Sequence, residues 1–378
     1  MVHYAIMKNS HLSAVSNLSI TNHDKHNIIR YNKKLPENMH YRSVIQDISS
    51  GNIVCIAPSK SVEFHEDMYN NIMAEEFIDG TMINLFWDEV DWQIATRSCV
   101  GGYNRFYDGK TFRCMFLEAL PDESNLDNLP KTSENNLPLV YSFVLQHVDN
   151  RIVAPIQDNK VYLVELFEIN NMDDHANINI INLRENEFAK RIIKENNFMR
   201  PKLYHLNCNE TDIRLLKETY ASDKTPYMIQ GIVFKNMDLG LRAKYRNPNY
   251  EIVRKLRGNQ AKKLYRFLEL NKDEKVLEYL RYYSEEWDLF VSYQDIWQKY
   301  IKQLHTHYVD CYILHNNGIK SYPYKYKVHM YKLHEIYKET KEKTTLVKVE
   351  QYMQSLHAAQ QMYVLNLFMN GVDHELGS

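Results

Sequence analysis

The sequence predicts an α+β domain built on antiparallel sheets, followed by an all-α domain. Length is the first reason, because 378 residues exceed one ordinary domain and are enough for two cores. The second is the first half, where short β-branched and aromatic runs alternate with turn residues. The third is the change after Tyr250: between Ile252 and Met369 apolar residues recur at helical spacing, and only Gly258, Gly318 and Pro323 interrupt them. The expected division is 1–250 and 251–378.

Val44-Ile45 and Ile53–Ala57 flank the turn Ser49-Ser50-Gly51-Asn52 and read as a hairpin. Thr81–Trp87 and Trp92–Arg97 flank Asp88–Asp91 in the same way. Further strands are expected at Leu139–Gln146, Lys160–Ile169 and Met228–Phe234, with helices at Glu185–Glu195 and Glu210–Tyr220. Pro121–Pro138, acidic and rich in Asn, reads as a surface loop. The second domain is expected to contain helices over Ile252–Leu270, Glu274–Tyr283, Glu286–His307, Lys327–Lys338 and Thr345–Met369.

Composition excludes several classes. An apolar fraction of 44% with 25% charged residues is that of a globular protein. No apolar run approaches the roughly 20 residues that a membrane-spanning helix needs. The opening MVHYAIMKNSHLSAVS lacks the basic start and apolar stretch of a secretory signal, so an intracellular, cytoplasmic location is expected. Cys55, Cys99, Cys114, Cys208 and Cys311 are scattered without a CxxC pair, which reads as reduced thiols rather than a disulfide framework or zinc ribbon. A net charge of −2 says nothing about partners, so the distribution of charge must.

Five stretches carry the chemistry. They are Glu75-Glu76-Phe77-Ile78-Asp79-Gly80-Thr81, which begins a strand; Ile94-Ala95-Thr96-Arg97-Ser98; Phe143 to Val153; Gln230-Gly231-Ile232-Val233-Phe234-Lys235; and Arg242-Ala243-Lys244. Their order and spacing resemble the motifs of covalent nucleotidyltransferases, and above all the phage-type single-subunit RNA ligases and their relatives in large DNA viruses. The resemblance covers roughly Arg42 to Gly258, with Arg42–Ile45 and Ala57–Lys60 similar to the lead-in strands. It implies an adenylation-type nucleotidyltransferase domain, ATP and Mg²⁺ as cofactors, RNA as partner, and a virus-infected host cell as setting.

In that family a lysine attacks the α-phosphate of ATP, and carboxylates hold the divalent metal. Here Phe77 stands at the nucleophile position, and a phenyl ring has no lone pair to offer. Val144 and Gln230 stand at the two carboxylate positions, and an amide oxygen is a weak ligand for a hard cation. The resemblance places Asp79, Gly80, Arg97, Gln230, Arg242 and Lys244 at a nucleotide, with the positive charges retained. The losses fall on covalent and metal chemistry and the retentions on phosphate contact. The expected function is therefore RNA or nucleotide binding without lysyl-AMP formation, a pseudoenzyme. The alternatives are an active ligase that uses a displaced lysine (Lys60 or Lys244) or seals pre-adenylated RNA, and an assembly protein with a filled pocket.

From Lys235 to Arg266 ten basic residues face two acidic ones, Asp238 and Glu251. Arg246, Arg254, Lys255, Arg257, Lys262 and Lys263 are the RNA-contact candidates, with Tyr245, Tyr250, Tyr265 and Phe267 as rings for base stacking. A solvated helix face is the plainer reading of such a run. His307, Cys311 and His315 recur every fourth residue near Asp310, yet a helix face accounts for them and no metal site is assigned. The stripe Tyr283, Trp287, Phe290, Tyr293, Trp297, Tyr300 reads as helical core, with a protein-docking face as the alternative.

Overall fold

The computed structural model describes residues 2–7, 17–33, 35, 38–65, 68, 71–107, 109–122, 124–171, 177–206, 210–238 and 240–371. Two compact units divide at Lys255 and Leu256. No described helix is long and apolar enough to cross a membrane.

The first unit holds three antiparallel sheets. The largest has the order β1 (Val2–Met7), β11 (Asn177–Asn182), β10 (Lys160–Asn170), β9 (Leu139–Gln146), β7 (Thr81–Trp87), β8 (Trp92–Ala95). The second runs β12 (Leu203–Tyr204), β6 (Ile72–Glu76), β13 (Gly231–Asn236), β14 (Arg242–Arg246), and the third β2 (Leu18–His23), β3 (His26–Tyr31), β4 (Val44–Asp47), β5 (Ile53–Ile56). The β4–β5 hairpin forms where turn chemistry predicts it: Asp47 accepts from Ser49 and Ser50, and Gly51 takes φ +71°. β9 is buried almost throughout because both of its faces are covered.

One face of the large sheet (Ile83, Leu85, Tyr141, Phe143, Leu145) packs with α1 (Phe112–Glu118) and α2 (Glu187–Glu195). The opposite face (Phe86, Val140, Phe167, Ile169) packs with Ile28, Ile29, Val44 and Ile45 of the third sheet. The second sheet is apolar on one face, where Ile72, Ala74, Ile232 and Phe234 meet Ile213 of α3 (Glu210–Tyr220). Its other face carries Glu75, Lys235, Arg242, Lys244 and Arg246, two residues apart along each strand as the pleat requires.

A β-bulge in β10 joins this polar face to the large sheet. The register slips between Leu163 and Glu165, so Leu163 and Leu166 both enter the helix-side core while Val164 and Glu165 turn the other way. Glu165 thereby meets Lys235 Nζ at 2.6 Å, which also reaches Glu75 at 2.7 Å, and Arg184 pairs with Glu75 at 2.5 Å. Burial alone would raise the Glu165 carboxyl, but Lys235 and Arg184 beside it hold it below its ordinary value. Two acids and two bases thus neutralise one another in the interior.

The second unit contains α5 (Lys263–Lys272), α6 (Val276–Tyr282), α7 (Trp287–Tyr312), α8 (Tyr324–Thr340), α9 (Leu346–Ser355) and α10 (Ala358–Met369), while α4 (Pro248–Arg257) ends at the division. Tyr283, Phe290, Trp297 and Tyr300 of the aromatic stripe are buried, but Trp287 is exposed. The expected helix Ile252–Leu270 is two helices, because Gly258 takes φ +69° and stops α4. The expected helix Thr345–Met369 is also two, since His357 is extended and forms a capping box with Gln360 at the start of α10. β13 starts at Gly231, not Met228, and the stretch around Phe77 is no strand: β6 ends at Glu76 and β7 begins at Thr81, in different sheets. The Pro121–Pro138 loop contains a short 3₁₀ turn, Leu126–Asn128, and buries Leu129. Cys55, Cys99, Cys114 and Cys311 are free, and Cys208 lies outside the described residues.

Replacing Arg184 by Met leaves Glu75 and Glu165 with one cation between them, and the expected loss of stability is about 3–5 kcal/mol. Urea unfolding of the variant measures it; a loss below about 1 kcal/mol would mean that the ion group does not hold the two sheets together.

Candidate functional site

The connection from β6 to β7 is fixed by the stretch after β9. Asp79 is buried, and its carboxylate accepts from the backbone N–H of Val153 at 3.0 Å and Ala154 at 2.9 Å. Its other oxygen accepts from the Tyr250 hydroxyl at 2.7 Å. Gln146 Nε2 donates to the Asp79 carbonyl at 2.8 Å, and Asn150 Nδ2 to Thr81 Oγ1 at 2.9 Å. Gly80 is required by close approach, since a Cβ there would lie 2.4 Å from the Leu145 carbonyl oxygen. Asp79 and Gly80, expected to contact a nucleotide, are thus the anchor of the loop that presents Phe77. Tyr250, expected to stack on bases, is buried beneath them.

Phe77 packs beneath a cation. Lys244 Nζ lies 4.2 Å from the centre of its ring and the Arg246 guanidinium 5.7 Å. Lys244 is held well below the ordinary lysine value by burial first, and then by the charges of Arg242, Arg42, Arg246 and Lys60. Arg42 is itself pushed down to about 10 by burial and by Arg242 and Arg97, against an opposing pull from Tyr31. Arg97 is exposed and stands 5.5 Å over the Tyr31 ring. Arg242 is buried, and its Nε has no hydrogen-bond partner among the described residues. The structure therefore brings together Arg97, Arg242 and Lys244, expected at a nucleotide, with Arg246, expected at RNA, and adds Arg42. Arg42 could have been found as the one cation of its lead-in strand, but nothing local marked it as facing β14.

The carboxylate positions do not build a metal site. Val144 is buried in an apolar cluster with Ile78 and Val164, flanked by Met82 and Tyr162. Gln230 offers one buried amide oxygen without a partner. No grouping of three His, Cys, Asp or Glu suited to a metal occurs among the described residues. A hard divalent cation prefers several oxygen ligands with negative charge, and the donors at these positions do not fit one. Phosphate oxygens do fit the cations.

The remaining basic candidates disperse. Glu251 pairs with Arg246 at 3.2 Å and Arg254 at 3.1 Å, and Glu286 pairs with Lys263 at 2.7 Å. Arg257 is buried, not a surface contact. Lys255 and Lys262 are exposed but belong to different units. Of the expected stacking rings, Phe267 is core, Tyr245 packs with Phe64 and Phe234, and Tyr265 is partly covered near His357. His315 lies beyond the end of α7 in a left-handed conformation, so it does not continue the face of His307 and Cys311.

No family model and no curated protein matches the chain. Among solved structures it is similar to an archaeal ATP-dependent RNA ligase, at 14% identity over 75% of this chain and 70% of that one, with a TM-score of 0.43. It is similar to a putative ATP-dependent DNA ligase from Aquifex aeolicus at 13% identity, covering 88% and 79%, with a TM-score of 0.43. A Naegleria gruberi RNA ligase mutant with ATP and Mn shares 12% identity over 51% of this chain and 57% of that chain, with a TM-score of 0.37.

Tyr250→Phe removes only the hydroxyl that donates to Asp79. The expected cost is about 1.5–3 kcal/mol, the range for a hydrogen bond to a charged group, read as a lowered midpoint in chemical unfolding.

Proposed function

We propose that the chain is an RNA-ligase-like protein that binds phosphates of RNA or of a nucleotide, without forming a lysyl-AMP at position 77. The observation that carries this reading is the cationic face of the second sheet. Beside Arg242 and Arg246 of that face, Arg42 and Lys60 act on Lys244 and Arg97 acts on Arg42; Arg246 also pairs with Glu251, but the four strongest charge influences on Lys244 are all cations. Like charges gathered in a partly buried place destabilise the fold, and a polyanion relieves them. Phe77 supplies a ring and no nucleophile, and Val144 closes an apolar cluster where a metal-linked acid would stand. The pseudoenzyme assignment, the adenylation-type ancestry of the first unit, and a cytoplasmic, virus-infected setting belong to the same proposal.

Binding of a 5′-phosphorylated single-stranded RNA, followed by fluorescence anisotropy across a salt series, tests it. Affinity is expected to fall steeply with salt, and Arg242→Gln to weaken binding while flattening the salt slope by about 0.7, the loss of one phosphate contact on a single strand. No affinity at low salt would remove the proposal.

The sign of the pH dependence follows from Lys244. Its proton affinity is depressed in the free protein, and a bound phosphate favours the protonated amine. Affinity is therefore expected to rise as pH falls through that depressed value, and Lys244→Met to flatten the profile.

A second reading rests on the same amine, since a lysine beside Phe77 whose proton affinity is lowered gives up its proton more readily, as an attack on ATP needs. Incubation with α-labelled ATP separates the two: a covalent adduct that Lys244→Arg abolishes favours the enzyme, and none is expected. Sealing is checked in a separate assay, with a pre-adenylated RNA and no ATP.

A further inference from the structure

The helical unit contains a cavity that nothing above uses. It has a volume of about 540 Å³ and lies between α8, the end of α9 and α10. Val328, Leu356, Val364 and Leu367 give it an apolar wall, and the exposed rings of Tyr324 and Tyr363 border it. Its lining includes no carboxylate.

One titratable side chain of the lining is buried. His329 is 8% exposed, and its Nδ1 lies 2.9 Å from the Tyr352 hydroxyl. Burial pushes its imidazole down to about 4, so the ring is neutral near pH 7. A neutral imidazole has one N–H and one bare nitrogen. The bare nitrogen is a better acceptor than a phenol oxygen and the phenol a better donor, so the Tyr352 hydroxyl donates to Nδ1 and the ring proton sits on Nε2. Nε2 has no partner among the described residues, yet it is not one of the unpartnered atoms sealed in the interior. It therefore has open surface, on a side chain that lines the cavity. Other polar groups of the lining are engaged: Lys332 pairs with Glu335 at 2.7 Å, and Gln360 Oε1 accepts from the His357 N–H at 3.2 Å.

An apolar cavity of this size with one N–H open to it has the make-up of a small-molecule site, where a polar group orients a body that the wall holds. A neutral ring gives a charged ligand no counter-ion, whereas it suits a neutral acceptor. We propose that the cavity binds a small uncharged organic molecule with an aromatic body and one carbonyl oxygen. The oxygen accepts from His329 Nε2, and the body packs against Val364 and Leu367 with the tyrosine rings beside it. The proposal uses no residue of the cationic face in the first unit.

Methyl NMR of the full chain, titrated with 2-acetylnaphthalene, tests it through the Val328, Val364 and Leu367 signals. Saturable shifts are expected, together with a downfield shift of the His329 Nε2–H proton. The matched hydrocarbon 2-ethylnaphthalene is expected to bind about fivefold more weakly, the worth of one hydrogen bond. His329→Phe is expected to abolish that preference, and Val328→Glu, a change at an exposed helix position, to weaken both compounds alike. Equal affinity for the two compounds, or a preference that survives in the folded His329→Phe variant, would overturn the hydrogen bond. Tighter binding of 2-naphthoate than of the ketone would overturn the uncharged class. Methyl signals that move with none of the three, or undiminished binding in the Val328→Glu variant, would overturn the site itself.

Discussion

The architecture of the first unit depends on the ion group that joins its large sheet to the second sheet. Glu75 and Lys235 come from the second sheet, Glu165 from β10, and Arg184 from the segment after β11. A buried charge is tolerated only when paired, so these groups must meet, and their meeting sets how the second sheet's polar face lies against the large sheet. The β10 bulge makes this possible by turning Val164 and Glu165 to the same side.

The same face has a second half where charges are not balanced. Arg242, Lys244 and Arg246 follow Lys235 across the β13–β14 pair; Arg246 pairs with Glu251 at 3.2 Å, while Lys244 feels the charges of Arg242, Arg42, Arg246 and Lys60. One sheet face therefore contains a neutral, closed ion group and, beside it, an open cationic one. The first serves folding. In the second, burial and the neighbouring cations hold Lys244 below its ordinary value, so this half of the face is the less comfortable place for a proton.

Phe77 takes its meaning from this neighbourhood. Its loop is fixed by Asp79, whose acceptors are filled by Val153, Ala154 and Tyr250, and by the close passage of Gly80 over Leu145. The ring is thus presented rigidly under Lys244, where its face favours a cation. Asp79 and Gly80 hold this loop in place.

Strands β4, β5, β7, β8, β9 and β10 were legible because alternation and turn residues are local signals, and the helical half because its period is long. β1, β11 and the short β12 were not, since polar Asn-rich or isolated segments become strands only through their partners. The break at Gly258 was visible as a residue, but the burial of Arg257 beside it was not, because burial depends on tertiary contacts. By itself the sequence determined which side chains exist at positions 77, 144 and 230 and along β14, and so which chemistry is available. The tertiary structure alone decided which cations share one face, which aromatic rings are buried, and that Asp79 is consumed in holding its own loop. Charge and burial act through space, over contacts between residues far apart in the chain, and no local spacing encodes them.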